Sequence, residues 1–196
     1  MQVYIVDDDS QVLAANQFLL QALGYSSLGW QDPEQFLAEV DTQVPAILLL
    51  DLAMPKLDGL QVQAELMARN SLVSVILLTG HGDVPQAVAA MKQGAVDFLE
   101  KPVDVKRLSA AFAQAKTRVE QLRRHEDIRQ LFARLSARER EVVSLVAEGL
   151  TNKAIAEQLC VAVRTIEVHR AAAMGKLKVA NIAELLNHWQ LLNSTY

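Results

Sequence analysis

Short apolar segments alternate with amphipathic segments through the first 120 residues, and this alternation restricts the possible folds more than any other feature. The apolar segments have the length of strands, and the amphipathic segments have the length of helices. Strict alternation of strands and helices favours a parallel sheet covered by helices on both faces. The predicted strands are residues 2–6, 26–30, 46–50, 73–78 and 96–99, and the predicted helices are residues 10–23, 33–40, 59–69, 85–93 and a fifth after Asp104.

Local signals agree with these boundaries. Asp32-Pro33 places a capping aspartate before a helix whose first turn contains proline. Gly24 and Gly94 stand where two of the helices should end. Five strand–helix units in about 120 residues match the size of a small flavodoxin-like α/β domain.

Polar side chains occupy the positions at which the predicted strands end. Asp7 and Asp8 follow the first strand, Asp51 follows the third, Thr79 follows the fourth and Lys101 lies just beyond the fifth. The carboxyl ends of parallel strands share one edge of a sheet, so these side chains should meet there. Converging carboxylates repel one another unless a cation lies among them, and oxygen ligands of this type suit Mg²⁺. The pattern predicts a Mg²⁺ site at which a carboxylate nucleophile receives a phosphoryl group, with Lys101 as a further positive charge.

The charge of the chain is divided unevenly. Residues 1–120 contain 8 Lys or Arg and 15 Asp or Glu, whereas residues 121–196 contain 11 and 8, so the net charge changes from -7 to +3. A basic C-terminal part is compatible with a polyanion such as DNA as its partner. The longest apolar run, residues 44–50, is far shorter than the roughly 20 residues of a membrane span. We therefore expect no membrane association, no secretory signal and a cytoplasmic location.

The single cysteine, Cys160, excludes a disulfide framework and a zinc site built on cysteines. We expect its thiol to be buried in the core and inert.

Residues 104–134 contain neither Gly nor Pro, so we expect the fifth helix to continue well past the sheet. Two interpretations of its second half stay open, a solvated helical linker and a coiled-coil-like contact between protomers. The apolar residues in question are Val119, Leu122, Ile128, Leu131 and Phe132.

Short helices are predicted beyond residue 135. Ser136 and Glu139 form a capping box for a helix that ends at Gly149, and Asn181 begins the last helix in the same way. Between them, helices at residues 151–159 and 163–178 with a turn at 160–162 have the lengths of a helix-turn-helix.

The second helix of this pair has one apolar face, formed by Ile166, Ala173 and Leu177. The opposite face should point outward, as a recognition helix does in the major groove of DNA. Flanking cations would hold phosphates. The candidate DNA-binding residues are Lys153, Arg164, Thr165, Glu167, Val168, Arg170, Ala171 and Lys176.

Four segments resemble the receiver domain of two-component response regulators: YIVDDD at residues 4–9, LLDLAMP at 49–55, LLTG at 77–80 and FLEKP at 98–102. The resemblance implies that Asp51 accepts phosphate from a phosphohistidine on a sensor histidine kinase. It also implies that Mg²⁺ is bound by the carboxylates of Asp8 and Asp51, by the backbone carbonyl of Ala53 and, through water, by Asp7.

The same resemblance assigns roles around the phosphoryl group. Thr79 would bond one phosphoryl oxygen and Lys101 another. Phe98 matches the aromatic switch position, which turns inward as Thr79 moves. Ala53 and His81 match the positions that flank the attacking water, so substitution of His81 is expected to change the rate of autodephosphorylation.

The C-terminal part resembles the LuxR-type helix-turn-helix, through LSARE at residues 135–139, GLTNK at 149–153, RTIEVHR at 164–170 and KL at 176–177. A receiver at residues 1–117, a helical linker at 118–134 and an all-α four-helix domain at 135–196 are similar to the FixJ-type transcriptional regulators. The base-reading positions of the family fall on Glu167, Val168 and Ala171. The chain departs from many relatives at Ala162-Val163, where they have Ser-Pro, so this helix should lack its usual cap.

The resemblance implies a regulator that dimerises when phosphorylated, through residues 84–93, 96–99 and 105–116, and then binds promoter DNA and activates RNA polymerase. The segments at 80–85 and 162–171 look closest to the tetrathionate-respiration regulators of Gram-negative bacteria, although no residue pattern identifies tetrathionate itself.

Two other functions are compatible with parts of the sequence. A Mg²⁺-dependent phosphohydrolase with an aspartyl nucleophile would need a second Asp two residues later as proton donor, whereas Asp51 is followed by Leu52 and Ala53. An adaptor would use the helical end to bind a protein instead of DNA. We expect a phosphoryl acceptor with slow autodephosphorylation and no turnover.

Overall fold

The computed structural model describes residues 1–80 and 84–193, and within them a parallel sheet organises the first part of the chain. Its five strands lie in the order β2-β1-β3-β4-β5. The strands are β1 Gln2–Val6, β2 Ser27–Trp30, β3 Ala46–Asp51, β4 Val73–Thr79 and β5 Asp97–Glu100. The helices of this part are α1 Ser10–Ala22, α2 Pro33–Glu39, α3 Gly59–Ala68, α4 Val84–Lys92 and α5 Val105–Ala133. The predicted flavodoxin-like architecture is confirmed.

Each face of the sheet carries its own apolar core. Successive side chains of a strand point to opposite faces, so on β1 Tyr4 and Val6 enter one core while Val3 and Ile5 enter the other. The first core is completed by residues of α2, α3 and α4, and the second by residues of α1 and α5. The sheet is therefore the middle layer of three, between two layers of helices.

The chain divides into two compact units, Met1–Arg123 and Arg124–Tyr196. α5 is one helix of 29 residues, as the absence of Gly and Pro predicted. Val119 is buried in the core of the first unit, whereas Ile128 and Phe132 are buried in the core of the second. Val119, Ile128 and Phe132 therefore serve the two cores, and the choice between a helical linker and a contact between protomers stays a prediction. Among the described helices, none is both long and apolar enough to span a membrane.

The second unit is helical, with α6 Ala137–Ala147, α7 Asn152–Gln158, α8 Val163–Leu177 and α9 Ile182–Asn193. The capping box predicted at Ser136 and Glu139 is present. The prediction for Cys160 is wrong, because its side chain is exposed. Cys160 has a left-handed backbone with φ 52° and forms the turn that follows α7, instead of facing the core.

Candidate metal centre and nucleic-acid interface

The two central strands bring Asp7 and Asp51 together. β1 and β3 pair in parallel with Val6 opposite Leu50, so the residue after each of these emerges at the same edge of the sheet. Asp7 is fully buried, and Asp51, the last residue of β3, is 5% exposed. The backbone N–H of Asp7 donates to the carbonyl of Trp30 at 3.1 Å, which fixes the chain as it leaves β1.

Lys101 and Asp8 complete this carboxylate cluster. The ammonium nitrogen Nζ of Lys101 lies 2.6 Å from Oδ2 of Asp7 and 2.7 Å from Oδ1 of Asp51. Asp7, Asp8 and Asp51 each offer a carboxylate oxygen, and these oxygens lie within 4.8 Å of one another. Asp8 is exposed, so the cluster opens to solvent on its side.

Burial and neighbouring charges both shift the pKa values of the carboxylate cluster. Burial raises the pKa of the Asp7 carboxyl, and the neighbouring Asp51 charge raises it further, which outweighs the lowering effect of Lys101. Burial lowers the pKa of Lys101, but the hydrogen bonds and charges of Asp51 and Asp7 reverse that effect and raise it above its ordinary value. Lys101 is therefore an ammonium at neutral pH, and its single positive charge contacts two of the three carboxyl groups, those of Asp7 and Asp51. The remaining negative charge and the hard oxygen donors fit a divalent cation such as Mg²⁺.

The other residues predicted at this site lie around the carboxylate cluster. Thr79 ends β4, is 5% exposed, and accepts a hydrogen bond on its backbone oxygen from the N–H of Lys101 at 2.7 Å. Ala53 is exposed in the segment after Asp51. Phe98 is partly buried on β5 and packs against the core formed with α2, α3 and α4. His81 lies outside the described residues.

Gly59 belongs to this site, and sequence reasoning missed it. A Cβ placed on Gly59 would lie 2.6 Å from the backbone oxygen of Asp51 and 3.0 Å from the Cα of Leu52. The N–H of Gly59 donates to the carbonyl of Leu52 at 3.0 Å, so α3 begins directly against the end of β3. Only a residue without a side chain allows this approach. A glycine in the first turn of a predicted helix, where it weakens the helix, is the signal that could have identified it.

In the second unit, α7 and α8 form the predicted helix-turn-helix. Ile166, Ala173 and Leu177 of α8 are fully buried, as their spacing predicted. The opposite face of α8 is open to solvent, and 55% of the Val168 side chain is accessible. The candidate base-reading residues on this face are Glu167, Val168 and Ala171, and all three are exposed.

Two of the candidate phosphate-binding cations, Lys153 and Arg164, are exposed to solvent. Lys153 is exposed near the start of α7. The Arg164 side chain is 84% exposed and lies 3.1 Å from the Glu167 carboxylate, an exposed ion pair that is easily exchanged for another partner. Thr165, on the next position of α8, is partly buried.

The other two cations are engaged by neighbouring helices. Arg170 donates to the amide oxygen of Asn152 at 2.9 Å, which joins α8 to the start of α7. Nζ of Lys176 lies 2.6 Å from Oε2 of Glu139, whose side chain is only 7% exposed. Glu139 was recognised from sequence as part of a capping box, but its contact with Lys176 was not, because the two residues are far apart in the chain.

Comparison with known proteins identifies both units. Residues 3–113 match the response regulator receiver domain, and residues 133–189 match the luxR family of bacterial regulatory proteins. The chain belongs to the response regulators. The combination of a receiver with a LuxR-type DNA-binding domain, predicted from sequence, is confirmed.

Similar proteins share this two-domain arrangement along their length. The tetrathionate response regulatory protein TtrR of Salmonella typhimurium is 44% identical over 192 residues, which are 98% of this chain and 93% of TtrR. FixJ of Azorhizobium caulinodans is 41% identical, over 95% of this chain and 90% of FixJ. Among solved structures, the response regulator StyR has a TM-score of 0.67 at 35% identity, covering 96% of this response regulator and 98% of StyR. Full-length FixJ from B. japonicum has a TM-score of 0.56 at 36% identity, covering 100% and 98%.

These relatives are transcriptional regulators of two-component systems. This response regulator is therefore a DNA-binding transcriptional regulator with a histidine kinase as its partner, and it belongs to a family of regulators, not of turnover enzymes. The roles of individual residues and the domain boundaries at 117 and 134 stay predictions.

Proposed function

We propose that Asp51 is the phosphoryl acceptor of this response regulator and that its phosphorylation controls dimerisation and promoter binding. The supporting observation is the position of the Asp51 carboxylate, 2.7 Å from Lys101 and beside Asp7 and Asp8 at the open edge of the sheet. A carboxylate oxygen of Asp51 attacks the phosphorus of a phosphohistidine, a P–N bond breaks, and the imidazole nitrogen of the kinase leaves with the electron pair.

We also propose that Mg²⁺ is held at this site by the carboxylates of Asp8 and Asp51, by the carbonyl of Ala53 and, through water, by Asp7. The fit rests on the donor set, three carboxylates with oxygens within 4.8 Å of one another and one compensating ammonium. When bound, the ion supplies positive charge that offsets the charge of the transferred phosphoryl group.

Lys101 and Thr79 then hold the phosphoryl group in place. The Lys101 ammonium already neutralises the acceptor carboxylate and would pair with one phosphoryl oxygen. Thr79 ends the neighbouring strand and would donate its hydroxyl hydrogen to a second oxygen. Movement of Thr79 toward the phosphoryl group vacates space into which Phe98, only partly buried on β5, would turn. His81 and Ala53 would control access of the water that hydrolyses the acyl phosphate.

The receiver surface around α4 and α5 is proposed to pair two protomers. Val88 and Met91 on α4 and Val105 on α5 are large apolar side chains with 48%, 47% and 45% of their area exposed. All three lie within the segments at which the family resemblance places the dimer surface, and a group of exposed apolar side chains would favour association there. Dimerisation would bring two α8 helices to adjacent half-sites of promoter DNA.

On DNA, Glu167 would accept a hydrogen bond from a cytosine amino group and Val168 would contact a thymine methyl group, with Ala171 and Thr165 beside them. Lys153, Arg164 and Arg170 would bind phosphates, which orients α8 without reading sequence. The bound dimer would recruit RNA polymerase and activate transcription in the cytoplasm, where promoter DNA is found. The similarity to TtrR makes the genes of the tetrathionate response the first targets to test.

The test is phosphorylation by acetyl phosphate with Mg²⁺, followed by intact mass and oligomer size. Wild type should gain one phosphoryl group and become a dimer, whereas Asp51→Asn should do neither. Asp9→Asn is the matched control, because Asp9 is an exposed neighbour that caps α1 and asparagine caps equally well. A phosphoryl group on Asp51→Asn, or promoter activation by that variant without a phosphodonor, would contradict the proposal.

A further inference from the structure

One ion pair in the second unit connects the first turn of α6 with the last turn of α8. Nζ of Lys176 lies 2.6 Å from Oε2 of Glu139. The same oxygen accepts a hydrogen bond from the backbone N–H of Ser136 at 2.7 Å, and the Ser136 hydroxyl accepts one from the N–H of Glu139 at 3.2 Å. The pair is thus built into the capping box that begins α6.

The Glu139 carboxylate has little access to solvent. Only 7% of its side chain is exposed, compared with 41% for Lys176. The hydrogen bond from Lys176, followed by that from Ser136, holds the pKa of the Glu139 carboxyl below its usual range, so it is charged at neutral pH. A buried carboxylate that loses its cation is left uncompensated, at a large cost in free energy.

This cost decides what Lys176 can do. To bind a DNA phosphate, its ammonium would have to leave Glu139 and abandon that buried charge. Arg164 faces no such penalty, because its partner Glu167 is exposed. Lys176 also lies between Ala173 and Leu177, two buried residues by which the last turn of α8 packs into the core.

We propose that Glu139 and Lys176 are a positioning pair, which fixes α8 on α6 and so sets the direction in which α8 presents Glu167, Val168 and Ala171 to DNA. Lys176 is accordingly not a phosphate ligand, which revises the prediction from sequence. The inference depends on the proposed reading of bases by α8.

The test uses the full chain after acetyl phosphate treatment, with a duplex that the wild type enriches from a pool of random sequences and a scrambled duplex of equal length. Lys176→Met should weaken binding to the enriched duplex by about tenfold, because α8 is misdirected, and should change binding to the scrambled duplex much less. The slope of log affinity against log salt should equal that of wild type. Glu139→Gln added to Lys176→Met should restore most of the affinity, since glutamine keeps the cap and removes the unpaired charge.

Other results would overturn the positioning role. A phosphate ligand would give a salt slope smaller by about 1 in Lys176→Met, equal losses on both duplexes and no rescue by Glu139→Gln. A lower unfolding temperature with unchanged affinity of the folded protein would mean that the pair only stabilises the unit. Lys153→Met is the matched control and should reduce the salt slope. Failure of the wild type to enrich any duplex would instead count against the proposed function.

Discussion

The ammonium nitrogen of Lys101 lies 2.7 Å from Oδ1 of Asp51, although two helices and two strands separate the two residues in sequence. The same nitrogen lies 2.6 Å from Oδ2 of Asp7, which is fully buried. One cation therefore compensates two carboxylates at the edge of the sheet, and the stability of the receiver should depend on it.

Replacement of Lys101 by methionine should lower the free energy of unfolding of the receiver by about 3 kcal/mol in the presence of a chelator, because two carboxylates lose the cation that pairs with both of them. Mg²⁺ should recover more stability in this variant than in wild type, since the ion replaces the missing charge. Urea unfolding followed by Trp30 fluorescence measures this, in a Trp189→Phe background that leaves one tryptophan in the chain. Lys92→Met, on the exposed end of α4, is the control, and equal stability of both variants would contradict the expected role of Lys101.

Replacement of Gly59 by alanine should displace the backbone at Asp51, although no carboxylate is substituted. The new Cβ would lie 2.6 Å from the Asp51 backbone oxygen, so the loop between β3 and α3 has to move. We expect a loss of about 1–3 kcal/mol in the stability of the receiver and a phosphorylation rate lower by about tenfold or more, measured by intact mass after acetyl phosphate treatment. Gly175→Ala has free space within 4 Å and should phosphorylate at the wild-type rate.

The carboxylate cluster could be predicted from sequence because its geometry follows from strand order alone. Polar residues that follow parallel strands meet at one edge of the sheet. The proximity of Asp7 and Asp51 can therefore be predicted without knowing how the helices pack. The ends of the helices could be predicted equally well, because capping residues and glycines at helix C-termini are local signals in the sequence.

Contacts between helices could not be predicted in this way. The approach of Gly59 to Asp51 depends on how α3 leans on the sheet, and the pairing of Glu139 with Lys176 depends on how α8 crosses α6. The sequence pattern fixes which face of a helix is buried, but not which residue of another helix it reaches. Cys160 was misassigned for a related reason, because an apolar residue type does not reveal a left-handed turn.

Met91→Glu should prevent dimerisation of the phosphorylated protein while leaving phosphorylation itself unchanged. A charge at the exposed Met91 would be buried without a partner between protomers, which disfavours association. Size-exclusion chromatography with light scattering after acetyl phosphate treatment measures the result. Met67→Glu is the matched control, since Met67 is 46% exposed on α3, outside the proposed surface. Equal dimerisation of the two variants would show that the dimer interface does not include Met91.

Mild acid should destabilise the second unit through His188 on α9. Burial lowers the pKa of His188, and the charge of Arg124 lowers it further, against an opposing effect of Glu184. The unfolded chain therefore binds a proton first, so this contribution to stability is complete above about pH 6.5 and is lost as the pH falls toward the folded pKa. Thermal unfolding between neutral and mildly acidic pH should show a smaller loss in His188→Gln than in wild type. A retained dependence in His188→Gln would assign it to other groups.

The start of α8 offers a stabilising substitution. Ala162 occupies its N-cap position with extended backbone angles of φ -71° and ψ 145° and no capping hydrogen bond from its side chain, as the sequence predicted. α6 and α7, by contrast, are capped by the hydroxyls of Ser136 and Thr151. Because the backbone at Ala162 already has the conformation of a cap, serine there should accept a hydrogen bond from the first turn without any rearrangement.

Ala162→Ser should therefore raise the stability of the second unit by about 1 kcal/mol, which corresponds to about 4–8 °C in unfolding temperature for a unit of this size. Thermal unfolding followed by Trp189 fluorescence in a Trp30→Phe background tests this. Ala172→Ser adds the same hydroxyl to an exposed position inside α8, where serine is the weaker helix former, and should lower the unfolding temperature slightly. A similar change in both variants would show that the hydroxyl acts through something other than the cap. An ordered first turn also holds Arg164 and Glu167 in place, so Ala162→Ser should bind the enriched duplex at least as tightly as wild type does.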